Sequence, residues 1–219
     1  MLSSEVTIIG VGGIGSWTAE QVMRLGCPCL VCYDDDEVLI HNMENQNYVF
    51  GDVSRPRRRV PKVQALLRRL LQIKAWHTQV GRTVDIVMRN KRATADDVFR
   101  GIVVVCVDTI EGRRDIFSAC CGSPAIPLYI EAGAAENLGT VRVLVPSELE
   151  HVHVYEELLR TYQSGGPAPC VSPYMGGLFA SVISSFVVRF EEGWRPLHLT
   201  ETRIDFRNGP VVTTEEIRL

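Results

Sequence analysis

The chain has 219 residues, 46% of them hydrophobic and 22% charged, with a net charge of −3, the proportions of an ordinary globular protein and not of a disordered or fibrous one. That length favours one domain, residues 1–219, or one with a sizeable appendage, and a hydrophobic core large enough to need no staples. The longest uninterrupted apolar stretch, Ile102 to Val107, falls far short of the roughly 18 residues of a membrane span, and the mild negative charge gives no reason to expect nonspecific nucleic-acid binding.

The opening Met-Leu-Ser-Ser-Glu lacks the basic segment and apolar run of a secretory signal, so the cytoplasm is the expected compartment. Val6 to Ile9 reads as a short strand broken by Gly10, and the good helix formers from Ile14 to Leu25 stop at Gly26. A second strand, Leu30 to Tyr33, ends in Asp34, Asp35 and Asp36. After an irregular stretch, Val63, Leu66, Leu67, Leu70 and Leu71 mark an amphipathic helix with Pro61 at its first position. Ile102 to Val107 is apolar on consecutive residues, as in a parallel strand buried on both faces. A helix is expected over Glu111 to Cys120, a strand over Leu128 to Ile130, and a further strand, able to turn antiparallel, over Leu138 to Val145.

The pattern then dissolves into a polar crossover loop over about 146–170, with one short helix around Tyr155 to Tyr162. Met175 to Phe190 reads as a largely buried helix, and Leu197 to Phe206 and Val211 to Thr214 as strands joined through Asn208-Gly209, a hairpin signal. The alternation gives a doubly wound, Rossmann-like α/β fold: a mainly parallel sheet with C-terminal antiparallel strands.

Gly10-Val-Gly12-Gly13-Ile-Gly15 lies where strand meets helix, where backbone N–H groups and the helix dipole can hold a phosphate. The same glycines also suit a tight turn with no ligand. Asp34 to Asp36 follow the second strand, 24 residues beyond Gly10, where an acidic side chain can bond ribose hydroxyls, and Asp108 follows the strand ending at Val107. All three groups fall at carboxyl ends of strands, the ligand edge of a doubly wound sheet, so that edge is expected to bind a nucleotide.

The series Asp34-Asp-Asp36-Glu-Val-Leu-Ile-His-Asn42-Met-Glu-Asn45-Gln46, then Lys62, then Cys106-Val-Asp108-Thr-Ile-Glu-Gly-Arg113 resembles the adenylyltransferases of the ThiF, MoeB and HesA family, relatives of the adenylation domain of ubiquitin-activating enzymes. The family shows Gly-x-Gly-Gly-x-Gly, Asp-x-Asp-x-Val-x-x-x-Asn, an Arg-Gln pair, a lysine, and Asp followed five residues later by Arg. The resemblance is strong over about residues 5–145 and holds in outline over 170–214.

It implies ATP and Mg²⁺ as the bound groups, with Asp34 on the ribose, Asn42 and Lys62 on the phosphates, and Asp108 helping to bind the metal. Gly10, Gly12, Gly13, Gly15, Asp36, Gln46 and Arg113 complete the implied ATP site. The implied substrate is the C-terminal carboxylate of a small ubiquitin-like or sulfur-carrier protein ending in Gly-Gly, activated as an acyl-adenylate. A homodimer and a downstream conjugating enzyme or sulfurtransferase are the implied partners. Plainer readings stay open for Lys62, as an exposed helix-start lysine, and for Asn42, as a turn former.

Two departures stand out: Asn45 replaces the arginine before Gln46, and, with the first strand starting near residue 5, the family's N-terminal extension, which supplies an arginine across a dimer, is expected to be missing. Arg55, Arg57, Arg58 and Arg59, just ahead of Lys62, could restore the charge or form a solvated loop. Among the seven cysteines, Cys29 and Cys32 alternate to opposite faces of the second strand, so they and Cys27 are expected to be buried, as are Cys106, Cys120 and Cys121. Lacking the second Cys-x-x-Cys pair of zinc-binding family members, the chain is expected to hold no zinc, and His151-x-His153 has no matching ligand set.

Cys170, just before the Met175 helix, is a candidate catalytic nucleophile for thioester formation, with a relic or packing role as the other reading. Three further readings compete with a carrier-protein adenylyltransferase: a degenerate subunit of a heterodimeric activating enzyme, an NAD-dependent oxidoreductase, and an enzyme activating a carboxylate on modified transfer RNA, which the negative charge disfavours.

Overall fold

A computed structural model describes residues 1–135, 138–161, 173–207 and 210–218. Eight strands form one sheet there: β1 (Val6–Ile9), β2 (Cys29–Tyr33), β3 (Asp85–Arg89), β4 (Ile102–Val105), β5 (Leu128–Ala135), β6 (Leu138–Leu144), β7 (Leu199–Asp205) and β8 (Val211–Ile217). Their order is β3-β2-β1-β4-β5-β6-β7-β8. The first five run parallel and the last three add on antiparallel, so the sheet is the mixed, Rossmann-like one expected.

Every residue of β1 and β4 is buried, because helices cover both faces of the sheet. Alternation divides these strands between two apolar layers. Ile8, Leu30 and Val104 pack with α1 (Gly15–Leu25), α2 (Lys62–Gln79) and α5 (Pro173–Glu191) through Val22, Leu66 and Phe179. Ile9, Val103 and Val105 pack on the other side with α3 (Ile110–Cys120) and α4 (Leu149–Thr161) through Ile116, Phe117 and Tyr155. Among the described residues no helix is long and apolar enough to cross a membrane.

Three features depart from the sequence expectations. β3 is an additional edge strand, its apolar Ile86, Val87 and Met88 only half-buried between exposed Asp85 and Arg89. Much of the expected crossover loop is the helix α4, which starts at Leu149 and not near Tyr155. Its buried face is His151, Val154, Tyr155 and Leu159, a helical spacing disguised because a histidine occupies the first position. Pro61 lies just before α2 and not at its first position. β7 and β8 pair as expected, from Leu199 opposite Ile217 to Asp205 opposite Val211; Asn208 and Gly209 themselves lie outside the described residues.

Candidate functional site

Ile9 is in register with Tyr33 on one side and Val105 on the other, so Gly10, Asp34 and Cys106 emerge side by side at the sheet's carboxyl edge. Gly10 turns with φ +86°, and a Cβ there would stand 2.9 Å from the Cys106 carbonyl oxygen. Both facts demand glycine. A Cβ at Gly15 would collide with the Gly10 carbonyl oxygen, so this last glycine of the series packs α1 against the loop and does not face a ligand. The first turn of α1 has no side-chain cap and no acidic residue, which leaves its positive end for an anion.

Asp34 is locked in place: its Oδ2 accepts from the Val11 N–H at 2.8 Å and its Oδ1 from the Asp36 N–H at 2.9 Å. Burial raises its pKa above the usual carboxylate value, against the opposing pull of Lys62 and these N–H bonds. Lys62 is the first residue of α2, yet it is buried, with 8% of its side chain exposed and Nζ 2.8 Å from Asp36 Oδ2. Its backbone N–H also donates to the Asp36 carbonyl at 2.9 Å. The exposed-lysine reading is therefore overturned: α2 begins against the strand-end turn, so its first side chain enters the site.

A cleft of about 390 Å³ opens here, its polar wall made by Gly10, Gly12, Gly13, Asp34, Asp36, Gln46, Lys62 and Asp108. Asp108 is exposed, beside Thr109, whose hydroxyl caps α3 by accepting from the Gly112 N–H at 3.2 Å. Gln46 Oε1 is buried with no hydrogen-bond partner among the described residues, an acceptor left for something else in the cleft. The acidic side chains of Asp34, Asp35 and Asp36 each offer an oxygen within 4.8 Å of the others.

Besides Gly15, two residues of the expected ATP set stand elsewhere. Asn42 is buried in the 3₁₀ turn Ile40–Glu44, where its Oδ1 accepts from the Leu39 N–H at 2.7 Å, so the turn-forming reading holds for it. Arg113 faces β5 instead of the cleft: its Nε donates to the Val107 carbonyl at 3.0 Å and its Nη1 to Glu131 Oε1 at 2.5 Å. Buried Glu131 captures the guanidinium. Arg55, Arg57, Arg58 and Arg59 form an exposed turn bridged between Arg55 and Arg58, with Arg59 paired to Glu37 at 2.9 Å; the cleft wall does not include them.

The rest of the cleft is built from residues that sequence reasoning misses. Tyr33, Ala93 and Ile116 make an apolar wall, and Arg92 stands exposed at its rim. Arg92 and Ala93 follow β3, so without that strand nothing marks them as belonging to the ligand edge. Cysteine chemistry is weak here: burial pushes the thiols of Cys27, Cys106 and Cys120 up to about 12, which denies Cys106, on the cleft wall, the thiolate form. Cys32 is buried too, but Cys121 is exposed, contrary to its packing expectation. His151 is buried with Nδ1 accepting from the Val145 N–H at 3.0 Å, while His153 is exposed, so the two do not face a common ligand. Cys170 lies outside the described residues.

A family model described as "ThiF family" matches residues 1–211. The chain is 33% identical over 152 residues to the sulfur carrier protein ThiS adenylyltransferase of Escherichia coli, covering 67% of this chain and 55% of that protein. It is 30% identical over 164 residues to ubiquitin-like modifier-activating enzyme 5 of Gallus gallus, covering 65% of this chain and 37% of that protein. Among solved structures, E. coli MccB with selenomethionine MccA superposes with a TM-score of 0.71 at 17% identity, over 98% of this chain and 64% of that one. The chain thus spans about half the length, or less, of these curated relatives.

Proposed function

Because the chain belongs to the ThiF family, we propose that it is an ATP-dependent adenylyltransferase that activates the C-terminal carboxylate of a small ubiquitin-like or sulfur-carrier protein. One observation carries this reading: a buried lysine, Lys62, shares a cleft wall with the glycine turn and with Asp108. Burying an ammonium costs several kcal/mol unless charge meets it. Asp36, itself 69% exposed, meets it only on the solvent side, and a polyphosphate in the cleft would meet it more fully.

In this reading the Gly12-Gly13 backbone, at the positive end of α1, takes phosphate oxygens, and Asp34, with both oxygens already oriented by N–H groups, takes the ribose hydroxyls. The base lies against Tyr33, Ala93 and Ile116. A carboxylate oxygen of the carrier attacks the α-phosphorus, the bond to the bridging oxygen breaks, and pyrophosphate leaves with the electron pair. Lys62 faces the charge that develops, a preorganised contact of the kind that usually dominates such catalysis. Asp108, exposed on the same cleft wall, offers a hard-oxygen donor of the type suited to Mg²⁺. Bound there, the ion would neutralise phosphate charge.

The test is ATP–pyrophosphate exchange with candidate Gly-Gly-ended carriers. Exchange that appears only with a carrier is expected, and its absence with every carrier, despite ATP binding, would overturn the reading. A second reading, a catalytically degenerate partner subunit, is favoured by Asn45 at the position of the family's arginine. It predicts exchange only after a second, homologous chain is added.

A further inference from the structure

Arg113 spans two places that are distant in sequence. Its Nε holds the carbonyl of Val107, the residue before Asp108, at 3.0 Å, and its Nη1 holds Glu131 Oε1 at 2.5 Å. We propose that Glu131, acting through Arg113, is a positioning residue that fixes the turn carrying Asp108. The consequence for nucleotide binding rests on the adenylation reading.

Glu131 sits within β5 and is fully buried. Its Oε2 accepts from the Tyr155 hydroxyl of α4 at 2.5 Å, and Arg142 Nη1 of β6 lies 3.4 Å from its Oε1. Arg142 is tied in turn to Glu201 of β7, Nε to Oε2 at 2.6 Å. The carboxylate that grips Arg113 is therefore held from two other elements, α4 and β6, the second braced in turn by β7. β5 accommodates the guanidinium by keeping glycine beside it, since a Cβ at Gly133 would collide with Arg113. β4 ends at Val105, so Val107 has already left the ladder, and the Arg113 Nε–H supplies a bond to its carbonyl that no strand neighbour of that ladder gives.

A purely stabilising role would be met as well by apolar packing, because replacing buried ion pairs with apolar groups of similar volume is often neutral or stabilising. What apolar packing could not do is address one carbonyl with a directed N–H. The fork of an arginine reaches two partners from two nitrogens, whereas lysine has one.

Three variants test this: Glu131→Gln, Arg113→Lys, and the pair Glu131→Gln with Arg113→Met, which removes the charges together. Melting temperature, hydrogen exchange of the amides from Val107 to Thr109, and ATP affinity by calorimetry are read for each. In Arg113→Lys, which keeps the charge, exchange at the turn is expected to quicken about tenfold and the ATP Kd with Mg²⁺ to rise about tenfold, the scale on which outer-shell partners act. The paired variant should recover melting temperature but neither protection nor affinity. The proposal is overturned if turn protection is unchanged in the variants that fold, or if protection and affinity merely follow the melting temperature and return together in the pair. Hydrogen exchange needs no reaction, so a loosened turn in a protein that never adenylates a carrier would leave the positioning role standing while sinking the adenylation reading.

Discussion

Lys62 is buried along its stem and at its ammonium, while its partner Asp36 is largely exposed. That asymmetry predicts what removal does. Lys62→Met keeps the apolar stem, removes the buried charge and leaves Asp36 solvated, so stability should be unchanged or raised, whereas pyrophosphate exchange should fall about 10²- to 10³-fold, the usual effect of removing one contact to developing charge. Thermal melting beside the exchange assay separates the two, and an active Lys62→Met protein would remove lysine from the mechanism. Asp108 is exposed, so Asp108→Ala should abolish exchange while shifting stability by no more than about 0.5 kcal/mol, the range of ordinary surface changes. Asp34 behaves differently, because burial raises its pKa. The folded state then binds the proton more tightly than the unfolded chain does, so the contribution of this carboxyl is fullest below the ordinary carboxylate pKa and is lost as pH rises through the folded value. The stability of wild type relative to Asp34→Asn should accordingly decline as pH rises across that window; a difference that grows with pH would contradict the assignment.

At the scale of elements, the site depends on how closely α1 seats on β1 and β4. Gly10→Ala places a Cβ 2.9 Å from the Cys106 carbonyl at φ +86°, a strain on the order of 1–3 kcal/mol. Its expected outcome is a lowered melting temperature together with loss of ATP binding by calorimetry. The elements that form this edge differ in how openly the sequence declares them. β1 and β4 are legible because a strand buried on both faces must be apolar at every residue, and the glycine turn, Asp34 and Asp108 follow from knowing where those strands end. β3 is not legible, since an edge strand exposed at both ends and only half-buried between them needs little apolar surface, and Arg92 and Ala93 are lost with it. Nor is α4, where buried His151 stands in an apolar position. For Arg113 the spacing after Asp108 is plain, but the direction of its side chain depends on Glu131, which belongs to another strand.

At the scale of the whole molecule, register does the assembling: β1 aligned with β2 and β4 brings segments from residues 10, 34, 62 and 108 to one edge. The antiparallel strands β6 to β8 extend the sheet away from that edge and supply Arg142 and Glu201 to the buried charge network behind it. A homodimer is expected in solution, and light scattering at the monomer mass under assay conditions would count against it. If thioester formation follows adenylation, wild type incubated with ATP and carrier should form a thiol-sensitive adduct that Cys170→Ser does not; an adduct persisting in Cys170→Ser would assign the step to another cysteine. The most direct test of the central claim is the intact mass of a Gly-Gly-ended carrier after incubation with this protein, ATP and Mg²⁺. The account predicts a carrier heavier by one adenylyl group, lost when its C-terminal glycine is removed, and a carrier left unmodified while NAD and not ATP binds the cleft would contradict it.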